Sequence, residues 1–175
     1  CTVTGQCVTL TDKVAPVVAS VVPTNPTDCG VNDGTITITA TSPNGSPLQY
    51  SINGGTTWDG SGSFTGLAGG TYDVRVRNAD GTCVVIETPI ILQDKIQPAI
   101  TNVVHADPTD CGVNNGTISI AASFSASETP EYSIDGGTNW QPSNVFTALA
   151  AGTYQIRVRN IDGTCMVSDS DVTIT

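Results

Sequence analysis

A period of 82 residues governs this chain. Cys29 and Cys111, Cys83 and Cys165, Tyr72 and Tyr154, and Trp58 and Trp140 each stand 82 positions apart. The offset runs without insertion or deletion from Asp12-Lys13 to the end, with Asp94-Lys95 opening the second copy, and about half of the aligned positions are identical. Extended backwards, it lays Cys1 on Cys83, so residues 1–11 read as the C-terminal strand of a preceding, truncated copy. The expected division is therefore 1–11, a first repeat 12–93 and a second repeat 94–175. Stacked modules of this kind form scaffolds and arrays, and the chain reads as a window on a longer array.

A module of this size buries only about 60–65% of its unfolded surface, so its core is marginal and a covalent staple helps it. Six cysteines beside a single Met fit an oxidising, extracellular setting. A formal charge of −10 and a pI near 4.1 repel phosphate, which argues against nucleic acid as a partner. No run is long and apolar enough to insert in a membrane. The start has no initiator Met or signal peptide; with the first repeat broken, that says nothing about secretion.

The local pattern is β throughout. Thr35-Ile36-Thr37-Ile38-Thr39-Ala40 alternates polar and apolar residues, and Thr117-Ile118-Ser119-Ile120 repeats it. Tyr50 and Ile52 lead into Asn53-Gly54-Gly55, and Tyr132 and Ile134 into Asp135-Gly136-Gly137, residues that accept the positive φ of a tight hairpin. Ser63-Phe64-Thr65 is a short strand. Thr71 to Arg77 reads as the longest one, with Tyr72, Val74 and Val76 inward, and Thr82 to Leu92 as the last. Pro16 places the stretch 16–22 at an edge. About seven short strands per module point to tandem immunoglobulin-like antiparallel β-sandwiches, an all-β fold. Leu67-Ala68-Gly69-Gly70-Thr71-Tyr72 and Leu149 to Tyr154 match a tyrosine corner, where the phenol returns its hydroxyl to nearby backbone.

Each repeat holds two cysteines 54 residues apart, Cys29 with Cys83 and Cys111 with Cys165. A structural disulfide inside each module is the expectation, worth about 4 kcal/mol by loop closure. With no Cys-x-x-Cys and a single His, a thiolate metal site is disfavoured. Cys1 has its register partner upstream of the chain, and Cys7 has none. Either they pair with each other across a bend at Gly5, or one bonds a neighbouring chain.

Ser133-Ile134-Asp135-Gly136-Gly137-Thr138-Asn139-Trp140 matches the Asp-box pattern familiar from sialidases, and Ser51 to Trp58 matches with Asn53 in the Asp place. In sialidases that box is a hairpin brace remote from catalysis. Trp58 and Trp140 either cap the core beside the hairpin or stack on glycan rings. No nucleophile–base pair recurs: His105 aligns with Pro23, and Glu87, Glu128 and Glu131 have no Glu counterpart, so an enzyme is not expected. Acidic residues do recur near the junctions, as Asp12, Asp28 and Asp80 with Asp94, Asp110 and Asp162. Asp28, Asp80, Asp110 and Asp162 are candidate Ca2+ ligands, although Pro-Thr-Asp-Cys and Asp-Gly are also ordinary turn chemistry. No other cofactor is expected. Arg75, Arg77, Arg157 and Arg159 form a short basic stripe that suits pairing with acidic neighbours.

Cys-Gly-x-x-x-Gly-Thr-Ile, Tyr-Ser-Ile-(Asn/Asp)-Gly-Gly, Phe-Thr-x-Leu-Ala-x-Gly-Thr-Tyr and Asp-Gly-Thr-Cys together resemble the SprB-type repeat of large surface adhesins of gliding bacteria. Thr82 and Thr164 depart from the family's usual Asn-Gly-Cys or Asp-Gly-Cys ending. The resemblance implies export by type IX secretion, display at the cell surface in long filaments, contact with surfaces or polysaccharide, and no catalysis in the repeats. The expected function is thus a structural or adhesive segment of an extracellular fibre whose partners are neighbouring repeats and surface polysaccharide. The alternatives are a carbohydrate-binding module with Trp platforms and a pilus-like subunit joined through residues 1–11.

Overall fold

The computed structural model describes residues 12–125 and 128–175, so Cys1, Cys7 and the segment 1–11 lie outside the described residues. Every regular element described is a strand. In the first repeat these are β1 (Val17–Thr24), β2 (Gly34–Thr41), β3 (Leu48–Ser51), β4 (Ser63–Leu67), β5 (Gly70–Tyr72), β6 (Arg75–Asn78), β7 (Val85–Ile86) and β8 (Ile90–Leu92). The second repeat runs through β9 (Ala99–Ala106), β10 (Gly116–Ser123), β11 (Pro130–Ser133), β12 (Val145–Leu149), β13 (Gly152–Tyr154), β14 (Arg157–Asn160), β15 (Val167–Ser168) and β16 (Val172–Ile174).

The Thr/Ile alternation makes β2 and β10 the central strands of one layer. β-branched side chains are stiff and pack well on a pleated surface, and period two sends every Ile to the same face. β2 pairs antiparallel with β1 and β4, giving the order β1-β2-β4, and β10 likewise lies between β9 and β12. The opposing layer has the order β3-β6-β7, with β5-β8 continuing the β6-β7 ladder; the second repeat matches it as β11-β14-β15 and β13-β16. Strands that alternate between two antiparallel layers in this order form an immunoglobulin-like sandwich.

The expected strands Thr71–Arg77 and Thr82–Leu92 are each broken in two. Tyr72 faces Ile90 and Arg75 faces Ile86, so three steps on one strand oppose four on the other. Tyr154 with Val172 and Arg157 with Ser168 repeat the mismatch. Pro89 is not its cause, because Asp171 stands there in the second repeat; one extra residue in the last strand forms a bulge. Eight segments therefore follow six paths, where the sequence suggested about seven strands.

Each sandwich closes over its own core. Ile36, Ile38, Val74, Val76 and Leu92 fill the first, and Ile118, Ile120, Tyr132, Ile156, Val158 and Ile174 the second. Tyr72 Oη donates to Ala68 O and Tyr154 Oη to Ala150 O, both at 2.8 Å, which is the tyrosine-corner geometry. Gly34, from the Cys-Gly-x-x-x-Gly motif, starts β2 where any Cβ would come within 2.8 Å of Leu67 O.

The chain separates into two compact units. One takes in Asn32–Gln93 with the residues up to Pro26; the other takes in Asp94–Thr175 together with Thr27–Val31. Those five residues are first-repeat by sequence and second-unit by structure. Within the second unit, the β9–β10 loop carrying Cys111 lies at one pole, beside Thr175, whose amide donates to Asp107. The β14–β15 turn carrying Cys165 lies at the other pole, where Lys95 reaches Asp162 and Asn160 reaches Ile96 O. The eight residues of β10 hold the two poles about 26 Å apart.

That distance overturns the within-repeat disulfides. A disulfide tolerates Cα atoms no more than about 7 Å apart, so Cys111 cannot reach Cys165 in the same sandwich. Cys29 does not bond Cys83 either, because its sulfur is joined to that of Cys165. The bond that forms is Cys29–Cys165, with a Cα separation of 5.1 Å, and Cys83 and Cys111 remain free thiols.

Candidate functional site

The Cys29–Cys165 centre is built from two short turns. Asp28-Cys29-Gly30 turns sharply, with Gly30 at φ 70° in the left-handed region that glycine enters without penalty. Asp28 Oδ1 accepts the amides of Cys29 at 2.7 Å and of Cys165 at 2.6 Å. One carboxylate thus aligns both bonded cysteines, and Cys29 Sγ lies 3.2 Å from Lys95 O. Cys165 itself has φ 58° and is buried. A left-handed conformation at a residue with a Cβ costs roughly 1 kcal/mol or more and persists only where surrounding contacts enforce it. Here Asp162 Oδ1 takes both the amide (3.1 Å) and the hydroxyl (2.6 Å) of Thr164, while Asn160 N donates to Thr164 O.

Asp28, Cys29 and Cys165 bring three potential metal-ligand atoms within 4.8 Å of one another. With both sulfurs joined, no thiolate is on offer, and the cluster is a covalent junction. The candidate Ca2+ ligands are engaged separately. Asp28 serves the junction, Asp110 Oδ1 accepts the Cys111 amide at 2.7 Å, Asp80 pairs with Lys13, and Asp162 pairs with Lys95. The hydrogen bond from Lys13, followed by those from Thr82, holds the Asp80 carboxyl down to about 2. Lys95, then Thr164, does the same to Asp162, also about 2.

The start of each repeat is clamped to its own sandwich, a feature the sequence reading missed. Asn78 Nδ2 donates to Val14 O at 3.0 Å and Asn160 Nδ2 to Ile96 O at 3.1 Å, and both amides are buried with Oδ1 unpaired. Asn78-Ala79-Asp80-Gly81 looked only like a turn. The recurrence of Lys13 with Asp80 and Lys95 with Asp162 at one fixed spacing was the available signal.

The two Asp-box hairpins sit on the β3 and β11 side. Ser51 Oγ accepts the Gly55 amide at 2.9 Å and donates to Asn53 Oδ1 at 2.9 Å, and Asn53 Oδ1 accepts the Thr57 amide at 3.0 Å. Ser133, Asp135, Gly137 and Asn139 reproduce the brace. The backbone amide of Asn139, against some burial, holds Asp135 down to about 2. Trp58 and Trp140 are half-buried, with one face of each ring covered by a guanidinium: Arg77 Cζ lies 4.0 Å from the Trp58 centroid and Arg159 Cζ 4.1 Å from that of Trp140. Arg77 Nε donates to Gln49 at 2.9 Å, and Arg159 bonds Glu131 at 2.9 Å and 3.1 Å. Arg75 pairs with Asp73 at 2.9 Å, and Arg157 donates to Ile156 O. The basic stripe is therefore largely spent inside each sandwich. His105 is an exposed residue of β9.

No family model matches this chain, and no curated protein matches it. Among solved structures it is similar to the C-terminal 282-residue fragment of intimin in complex with the translocated intimin receptor intimin-binding domain, at 14% identity and a TM-score of 0.47, over 90% of this chain and 64% of that one. It is also similar to the FN1–FN3 domains of chicken CNTN1, at 14% identity and a TM-score of 0.31, over 87% of this chain and 64% of that one. The chain thus spans under two thirds of either. Its own strand order makes it a pair of immunoglobulin-like β-sandwiches.

Proposed function

We propose that this chain is a non-catalytic segment of a long extracellular fibre made of tandem β-sandwich repeats, serving as surface structure or adhesive. The observation that carries the reading is the Cys29–Cys165 bond, which ties one sequence repeat to the next. A bond placed this way lets tension bypass the residues between Cys29 and Cys165, which suits a load-bearing fibre. An exposed polar surface of net charge −10 keeps such a fibre from collapsing on itself. Structural disulfides form and persist mostly in oxidising compartments, which suits an extracellular setting. Affinity for a surface would come from many weak contacts along the fibre.

The test is the denatured, reduced mass of the native protein together with immunolabelling of intact cells. A reduced mass many times 18.0 kDa, with label on unpermeabilised cells, supports the fibre. A reduced mass near that of this chain, or label only after permeabilisation, overturns it.

A further inference from the structure

Cys83 and Cys111 are free, yet each has the geometry of a bonded cysteine one repeat away. Cys83 has φ 54° against 58° for Cys165. Its turn is held the same way, with Asp80 Oδ1 taking the Thr82 amide at 3.1 Å and hydroxyl at 2.6 Å. Cys111 matches Cys29: Asp110 Oδ1 accepts its amide at 2.7 Å, and Gly112 follows at φ 75°. Both halves of the bonded centre therefore exist a second time, preformed and unpartnered by sulfur. Cys111 is exposed on the rim of a concavity of about 520 Å3 lined by Pro108, Asp110, Ala150, Ala151 and Thr175. One repeat earlier, Thr109–Val113 becomes Thr27–Val31, the segment taken into the following unit.

We propose that Cys111 of one copy bonds Cys83 of the following copy. The occupant of the Cys111 pole is a second copy presenting Lys13 and the Asp80-Gly81-Thr82-Cys83 turn. Asp110 accepts the Cys83 amide as Asp28 accepts that of Cys165. The oxidant is a small-molecule disulfide such as oxidised glutathione. The Cys111 thiolate attacks it, forming a mixed disulfide and releasing one glutathione thiolate. The Cys83 thiolate then attacks the Cys111 sulfur and releases the second, leaving one protein disulfide and two reduced glutathiones. Each copy keeps its own Cys29–Cys165 bond and is joined to the next by one Cys111–Cys83 bond. The proposal rests on the repeat-array part of the function above and not on adhesion.

Light and 15N-labelled copies of the full chain, each carrying Cys1→Ser and Cys7→Ser, are mixed in a glutathione redox buffer. The products are separated without reductant and mapped by mass spectrometry of disulfide-linked peptides. The expected result is a ladder of oligomers whose new linkage is Cys83–Cys111, with light–heavy pairs as frequent as same-label pairs. Cys111→Ser and Cys83→Ser each abolish the ladder while Cys29–Cys165 persists, which also shows that the variants fold. Alkylatable thiols at both positions, pairs of one label only, or Cys29–Cys83 and Cys111–Cys165 linkages overturn the proposal. A chain that fails here but has a large native reduced mass would lose the cross-link and keep the array.

Discussion

Removing the Cys29–Cys165 bond, by Cys29→Ser with Cys165→Ser, should destabilise the two units unequally. The bonded residues are 136 apart. If the first unit stays folded while the second opens, the flexible part of the loop shrinks to the stretch from Asp94 to Cys165 plus a few residues, about 75 in all. For loops of about 75 to 136 residues the chain-entropy model gives about 4.5–5 kcal/mol, and measured bonds more often deliver about 2–4 kcal/mol. At roughly 4–8 °C per kcal/mol for a domain of this size, the second unit should melt at least about 10 °C lower. The first unit holds no disulfide among its described residues and should shift far less. Calorimetry with and without reductant resolves the transitions, and single-tryptophan variants retaining Trp58 or Trp140 assign them. Equal losses in both units would mean one bond inside each repeat, and no loss in either would mean that the junction bond does not form. Either result refutes the reasoning.

Acid should act through the same turns. Asp80, Asp135 and Asp162 are all held near 2, below an ordinary carboxyl, so the unfolded chain takes up protons first. Their contribution is complete above about pH 4 and is lost as pH falls towards 2. Because Asn53 replaces the titrating Asp in the first repeat, Asp135→Asn should reduce the acid loss of the second unit alone, read from urea midpoints at several pH values. Tyr72→Phe and Tyr154→Phe each remove one corner hydrogen bond and should cost about 1 kcal/mol in their own unit by denaturant titration. Arg159→Ala uncovers a face of Trp140 and should red-shift its emission and raise acrylamide quenching, at about 0.5–1 kcal/mol, whereas Arg157→Ala leaves the emission unchanged. Pulled from its ends without reductant, the monomer can yield only the 28 residues before Cys29 and the 10 after Cys165, roughly 130 Å at about 3.5 Å per residue. Two full unfolding events under those conditions would contradict the junction bond.

The fold was legible in the sequence because its causes are local. Alternating Thr and Ile at 35–38 expose one face and bury the other whatever the rest of the chain does, and Ile36 and Ile38 are core residues. The Gly-Gly pairs at 54–55 and 136–137 take positive φ as turn chemistry requires. The tyrosine corner needs only a strand entry and a phenol four residues from its acceptor. What was not legible depends on partners far along the chain. The stacking of Arg77 on Trp58 joins residues that only the β3–β6 pairing brings together, and the Asn78 clamp on Val14 joins residues 64 apart.

The cysteines mark the limit most clearly. Sequence alone determined two tandem sandwiches with two cysteines per repeat, since periodicity and turn chemistry repeat with the text. It could not determine their partners. A separation of 54 and a separation of 136 differ by one period of 82, so a translationally repeated sequence describes both pairings equally well. Only the tertiary structure decided between them: antiparallel strands deliver Cys111 and Cys165 to opposite poles of one sandwich, beyond the reach of a disulfide, and bring the preceding repeat's Cys29 to the pole where Cys165 stands.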